Sequence, residues 1–255
     1  MAPGSVRARN VTLGAEMAHR LGRVLRLKRG DRVVLADGGR HEYEVQLTAV
    51  SPHAITGVVV AEREAPAEPA VTLVLYQSLI RANRFDLVLE KGTEVGVSRF
   101  VPVVNSRSQV QLEEPSAARA DRWQRLVVEA AEQSGRGRLP VVEAPLPFEE
   151  AVRQARGLRL LPWEGLPTGQ AGPIQGSSKG ERLRGLGTYL RALTERPQTV
   201  SLFIGPEGGF DPEEVRLATS EGLTLVTLGA RILRSETAGI VAAVLVMDAL
   251  GEMGE

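Results

Sequence analysis

Two stretches near the C-terminus limit the fold more than any others. Thr199–Ile204 (TVSLFI) is a short apolar run that opens into the bare loop GPEGGF at 205–210, after which Asp211 starts a helix. Leu223–Leu228 (LTLVTL) repeats that order, running into GARILR at 229–234, where Ser235 can cap a final apolar helix from Glu236 to about Leu250. An apolar strand, a loop and a helix in alternation point to an α/β layer architecture with a mostly parallel sheet. Asp211 reads as an N-cap, with Pro212 at the first helical position and Glu214 three residues on, the capping-box arrangement. Two such loops in succession at strand C-terminal ends can share one crevice.

The same alternation extends upstream. Val71–Tyr76 (VTLVLY) reads as a buried strand, Arg84–Gly96 as a helix and Arg99–Val104 as a strand. Ser116 can cap a long helix to about Gln133, in which Trp123, Leu126, Val127, Ala130 and Ser134 keep helical spacing. Phe148, Ala151, Val152 and Ala155 mark another helix, and Leu158–Leu161 a short strand. Residues 165–180 are rich in glycine, proline and serine and read as a loop. Residues 1–64 differ in character. Asp31–Leu35, a turn at Asp37–Gly39 and Glu42–Leu47 form a β-hairpin pattern, and Ile55–Val60 is a further strand, as in a small β-barrel or sandwich. The charged, proline-containing stretch 62–70 reads as a linker. Two domains are therefore expected, 1–68 and 69–255.

Bulk composition excludes more than it selects. There is no cysteine, so thiolate chemistry and Cys-ligated metal sites are ruled out, and the three histidines (His19, His41, His53) all lie near the N-terminus. No metal is expected. Chemistry in the C-terminal part must run on carboxylates, arginines, hydroxyls or backbone. Net charge is zero, yet residues 1–40 carry nine basic side chains against three acids. Such a cluster suits phosphate contacts, which are electrostatic and independent of sequence. No signal peptide is evident and the apolar run Gly239–Met247 ends at Asp248, well short of the ~20 residues that span a bilayer. A cytoplasmic protein is expected.

The glycine loop lacks the signatures of phosphate loops: neither G-x-x-x-x-G-K-[ST] nor G-x-G-x-x-G occurs, and Glu207 would repel a phosphate. Bare glycines still allow a ligand to approach the backbone, as an adenine edge or a ribose would. FIGPEGG, followed about twenty residues later by LGARILRSETA, resembles the SPOUT (trefoil-knot) methyltransferases. With VLRLKRGD at 24–31, EKGTEVGV at 90–97 and EAAEQSGRGRLP at 129–140, the chain is similar over nearly its whole length to the ribosomal small subunit methyltransferase E family.

That resemblance implies an N-terminal PUA-like β-barrel that binds RNA and a C-terminal SPOUT α/β domain with a deep trefoil knot. It also implies S-adenosylmethionine as methyl donor, N3 of a uridine in 16S ribosomal RNA as acceptor, and a homodimer without membrane attachment. By motif, the cofactor is expected between three loops. One follows Leu160 and Leu161. A second holds Ile204, Gly205, Pro206, Glu207, Gly208 and Gly209, and a third Leu228, Gly229, Arg231, Ile232, Leu233 and Arg234.

Uridine N3 becomes a good nucleophile only when its proton leaves, so a base or an anion stabiliser is needed. Glu207 and Glu236 are the candidate bases, Arg231 and Arg234 the candidate stabilisers; an Arg234–Glu236 ion pair is the structural alternative. Candidate RNA contacts are Arg7, Arg9, Arg20, Arg26 and Lys28 in the basic N-terminal stretch, then Arg81, Arg84, Lys91, Arg107 and Arg138. Aromatic residues make up only 4% of the chain, so phosphate contacts, shape and a flipped base are favoured over stacking on an aromatic platform. Two other readings stand beside this one: a knotted enzyme acting on ribose 2′-OH, and a PUA-like RNA-binding or assembly protein without catalysis.

Overall fold

The computed structural model describes residues 6–7, 9–36, 41–64, 68–108, 117–164 and 183–254. The chain divides into two compact units, Met1–Glu68 with Ala131–Leu139, and Pro69–Ala130 with Pro140–Glu255.

The first unit is built on an antiparallel sheet. Its strands are β1 (Val6–Arg7), β2 (Asn10–Leu13), β3 (Arg32–Ala36), β4 (His41–Val50) and β5 (Ile55–Glu64), in the order β1-β2-β5-β4-β3. A helical turn α1 (Ala15–Ala18) continues into a wider π-type turn at His19–Val24. Alternation along the strands turns Val11, Leu13, Leu35, Val45, Leu47, Ile55 and Val59 into one core. The predicted hairpin forms as β3 against β4, with Arg32 opposite Gln46; its turn at Asp37–Gly39 lies outside the described residues. The expected linker begins too early: β5 continues to Glu64, which pairs with His41, because ladder hydrogen bonds carry the charged stretch past Val60. Glu68 ties Ala131–Leu139 to this unit. Its carboxylate accepts from the Arg136 guanidinium at 2.9 Å and from the Arg138 backbone N–H at 2.9 Å, and the Arg136 side chain is only 2% exposed.

The second unit is a parallel sheet covered on both faces. Its elements run β6 (Thr72–Ser78), α2 (Ala82–Glu94), β7 (Arg99–Val104), α3 (Ala117–Ser134), β8 (Val141–Val142), β9 (Leu146–Pro147), α4 (Phe148–Gln154), β10 (Leu158–Pro162), α5 (Leu186–Arg191), β11 (Thr199–Ile204), α6 (Pro212–Ser220), β12 (Thr224–Val226) and α7 (Ser235–Ala249). Strand order is β12-β10-β11-β6-β7-β8, with β9 also on β7, and each of these pairings is parallel. Burial of both faces explains why apolar residues lie on both sides of β6 and β11. Leu73, Leu75, Leu202 and Ile204 share a core with residues of α2, α5 and α7, whereas Val74, Tyr76 and Phe203 share one with residues of α4 and α6.

The capping box at Asp211 forms as the spacing predicts: the Asp211 carboxylate accepts from Glu213 N–H at 3.0 Å and Glu214 accepts from Asp211 N–H at 2.9 Å. Ser235 is not the cap expected of it. Arg234 occupies the cap position, Ser235 is the first helical residue, and its hydroxyl is used on Gly205 and Gln77 instead. Ser116 and residues 165–180 lie outside the described residues.

Glu68 holds the buried Arg136 guanidinium and the Arg138 N–H, and breaking a buried ion pair from one side costs about 3 kcal/mol. Glu68→Ala is therefore expected to lower unfolding free energy by about 3 kcal/mol, measured by urea denaturation; a change below about 1 kcal/mol would remove Glu68–Arg136 as a structural tie.

Candidate active site

Register brings three loops to one edge of the sheet. β10 pairs with β11 through Leu160 and Leu202 and with β12 through Pro162 and Val226, while β11 pairs with β6 through Ile204 and Gln77. The strands are parallel, so the segments that leave Pro162, Ile204 and Val226 emerge side by side. Trp163 N–H donates to Val226 O at 2.9 Å and fixes the first beside the third.

The glycine loop is held from outside through its carbonyls. Ser78 Oγ donates to Ile204 O at 2.6 Å, and Ser235 Oγ donates to Gly205 O. Arg107 reaches Gly208 O at 3.4 Å, Phe210 O at 3.5 Å and the Asp211 carboxylate at 2.9 Å. Glu214, besides closing the capping box, accepts from Ser106 N–H at 2.8 Å and Asn105 Nδ2 at 3.2 Å. Gln77 Nε2 donates to Ser235 Oγ at 2.9 Å, linking β6 to α7. Gly239 allows this contact, since a Cβ there would lie 2.4 Å from Gln77 Oε1. Gly209 (φ +68°) and Gly229 (φ +113°) have the positive backbone angles that favour glycine.

Two carboxylates and one guanidinium meet beside this loop. Arg84 Nη1 lies 3.8 Å from Glu207 Oε1 and Arg84 Nε 3.6 Å from Glu236 Oε1. Both separations are ion-pair distances and too long for good hydrogen bonds. Both Glu207 oxygens and Glu236 Oε2 are buried with no hydrogen-bond partner among the described residues. A buried acceptor left without a donor costs about 1–3 kcal/mol. Two carboxylates with one arginine leave a formal charge of −1, so the site is complementary to a cation or to hydrogen-bond donors and opposed to phosphate.

The predicted site residues separate into groups. Glu207 and Glu236 come together as expected, but the cation beside them is Arg84, assigned above to RNA. The Arg234–Glu236 pair does not form, because Glu236 turns inward to Arg84 while Arg231 and Arg234 are exposed. Ile232, between them, is 83% exposed. The Leu161 side chain is fully buried in the core that holds Phe203, so only its backbone faces the loops. Leu228 and Leu233 are half-buried, and Pro206 is buried.

Of the other candidate RNA contacts, Arg107 braces the glycine loop and Lys91 pairs with Glu90 and Glu94 at 2.8 Å. Arg138 is half-buried, whereas Arg9, Arg26, Lys28 and Arg81 are exposed. The side chains of Arg7 and Arg20 lie outside the described residues. Sequence reasoning missed Gln77, Ser78, Asn105 and Glu164; the last has a carboxylate oxygen 3.6 Å from where a Cβ on Gly209 would sit. The signal for Gln77 and Ser78 was present, since two polar residues end an otherwise apolar buried strand.

Residues 67–247 match the model of the RNA methyltransferase domain, and residues 18–60 that of the RNA methyltransferase PUA domain. The chain is 36% identical to the ribosomal RNA small subunit methyltransferase E of Synechocystis over 95% of its own length and 74% of the relative's. It is 28% identical to that of Bacillus subtilis, over 91% and 87%. Among solved structures, the Neisseria gonorrhoeae ribosomal RNA small subunit methyltransferase E bound to S-adenosyl methionine superposes with a TM-score of 0.81 at 27% identity, over 97% of this chain and 96% of that one. A Legionella pneumophila methyltransferase in complex with the same cofactor gives 0.78 at 27% identity over the same shares. Among the described residues no cluster suits a metal ion, and no helix is long and apolar enough to cross a membrane. The fold is thus an α/β methyltransferase fold with a parallel sheet, preceded by a PUA-like domain, and the chain belongs to the ribosomal RNA small subunit methyltransferase E family of RNA methyltransferases.

Proposed function

We propose that this chain uses S-adenosylmethionine to methylate N3 of a uridine in 16S ribosomal RNA. The observation that carries this reading is the charge beside the glycine loop: Glu207 and Glu236, with buried oxygens that lack donors, meet at Arg84, next to loops bare at Gly209 and Gly229. That donor set fits a nucleoside that bears positive charge and no phosphate, as this cofactor does. Residues of the loops after β10, β11 and β12 would hold it, with Ile204–Gly209 and Leu228–Arg234 supplying backbone contacts. When bound, the cofactor supplies a methyl group on a sulfonium, which N3 takes by in-line displacement.

The chain's own contribution is placement and proton handling. Ser78, Ser235 and Arg107 hold the glycine loop in one conformation before any ligand arrives. Glu207 or Glu236 accepts the N3 proton, and the exposed guanidinium of Arg231 or Arg234 stabilises the imide anion. The PUA-like unit, with exposed Arg9, Arg26 and Lys28, supports the binding of RNA through phosphate. This substrate also places the protein in the cytoplasm, where ribosomal subunits are built.

The same reading includes the trefoil knot and a homodimer. Gly185 pairs with Thr227 on the extension of β12, and α5 follows at Leu186, so chain from both sides of β11 meets the segment that leads into α7. α7 is apolar on every side: Ala242, Ala243, Val246 and Met247 are buried, and Ile240, Val241, Val244 and Leu245 remain half-exposed in one chain. A second copy of the chain would cover them.

Methyl transfer to unmodified small ribosomal subunits should give 3-methyluridine on nucleoside analysis; a 2′-O-methyl nucleoside would replace this reading with the ribose enzyme, and no cofactor binding with the non-catalytic RNA binder. At Gly229 a Cβ would meet nothing within 4 Å, so Gly229→Val acts through backbone angle and ligand approach rather than internal collision. It is expected to weaken cofactor binding about tenfold, or 1.4 kcal/mol, in calorimetry. Arg26→Ala should weaken RNA binding, reduce its salt dependence by about one phosphate contact and leave cofactor affinity unchanged; equal loss of both would identify a folding defect.

A further inference from the structure

Taking uridine-N3 transfer as the premise, we propose that Arg84 is a positioning residue that gives the two site carboxylates different tasks. Glu236 anchors Arg84, and Arg84 holds Glu207 where it accepts the N3 proton.

Three parts of the chain far apart in sequence supply this trio. Arg84 lies in the first turn of α2, Glu207 in the loop after β11 and Glu236 in the first turn of α7. Without a cation between them, two carboxylates so placed would repel each other. Arg84 compensates them at 3.8 and 3.6 Å, close enough for charge and too far to occupy a lone pair with a good hydrogen bond. It therefore balances their charge and leaves their oxygens free to accept.

The two glutamates are not equivalent. Glu236 sits at the positive end of the α7 dipole, on backbone fixed by the Gln77–Ser235–Gly205 contacts, and its side chain is 9% exposed. Its Oε1 lies 3.6 Å from Arg84 Nε, and its Oε2 is buried without a donor. Glu207 has both oxygens buried without a donor and lies between Pro206 and Gly208, within the loop expected to face the methyl donor. A native fold keeps a buried carboxylate so empty where a ligand completes it. In the reaction the N3 proton passes to a Glu207 oxygen and its electron pair stays on N3. N3 then bonds the methyl carbon as the carbon–sulfur bond breaks, the sulfur keeps that pair and leaves as S-adenosylhomocysteine, and the Glu207 carboxyl returns its proton to water.

The test compares Glu207→Gln, Glu236→Gln, Arg84→Met and Arg84→Lys in the full chain. Four quantities are measured: kcat on unmodified small subunits, cofactor affinity by calorimetry, RNA affinity, and melting temperature. Glu207→Gln is expected to lower kcat about 100-fold, and Glu236→Gln to lower it by less. Arg84→Met should lower kcat with RNA affinity unchanged, because the guanidinium that holds Glu207 in place is gone. Arg84→Lys should restore part of the lost kcat. A larger loss in Glu236→Gln than in Glu207→Gln overturns the division of tasks. An Arg84→Met protein with weaker RNA binding and an unchanged kcat makes Arg84 a phosphate contact. One that loses cofactor binding and melting temperature together makes it structural, and either result overturns the proposal. If Arg84→Met does not fold, equal losses in the two glutamine variants also overturn it. A wild-type protein that binds cofactor and transfers no methyl group overturns the methyltransferase reading itself.

Discussion

The site depends on the parallel pairing of β10 with both β11 and β12. Those three strands are separated in sequence, but in the sheet they are neighbours and point the same way. Parallel register then brings the segments after Pro162, Ile204 and Val226 to one edge, where none alone could enclose a nucleoside. Ligand crevices at the carboxyl ends of parallel strands follow from this geometry. The burial of both sheet faces holds the register: a slip by one residue would exchange Leu202 and Phe203 between two different cores.

A glycine-rich loop is entropically costly to order, and here the surrounding chain bears that cost. Ser78, Ser235 and Arg107 donate to four of the loop's carbonyls, from Ile204 to Phe210. Glu214 couples the loop's exit to the segment after β7. The loop therefore has a defined shape while its glycines remain open to close approach. The carboxylates beside it are the less satisfied part of the structure, consistent with groups kept for a ligand rather than for folding.

Local signals were legible where the physics is local. The Asp211 capping box, the strands at Arg99–Val104 and Thr199–Ile204, and the hairpin of β3 and β4 all follow from short-range spacing. The readings that changed were those set by distant neighbours. Ser235 looks like a cap in one dimension, yet its hydroxyl is claimed by Gly205 and Gln77, the second of which is 158 residues away. Arg84 and Arg107 look like solvent-facing phosphate contacts, but each lies against carboxylates or carbonyls brought in by the sheet. β5 extends past its apolar residues because its partner strand continues to pair with it.

By itself the amino-acid sequence determined the alternation of strand and helix, the basic β-rich N-terminal part, the absence of thiol chemistry and the two bare loops that exclude a phosphate cradle. Those features depend on residue type and on spacing within a few residues. Tertiary structure decided which of 31 acidic and 31 basic side chains meet. It put Arg84 rather than Arg234 between Glu207 and Glu236, because proximity across the sheet is set by strand order, and strand order is not written in local spacing.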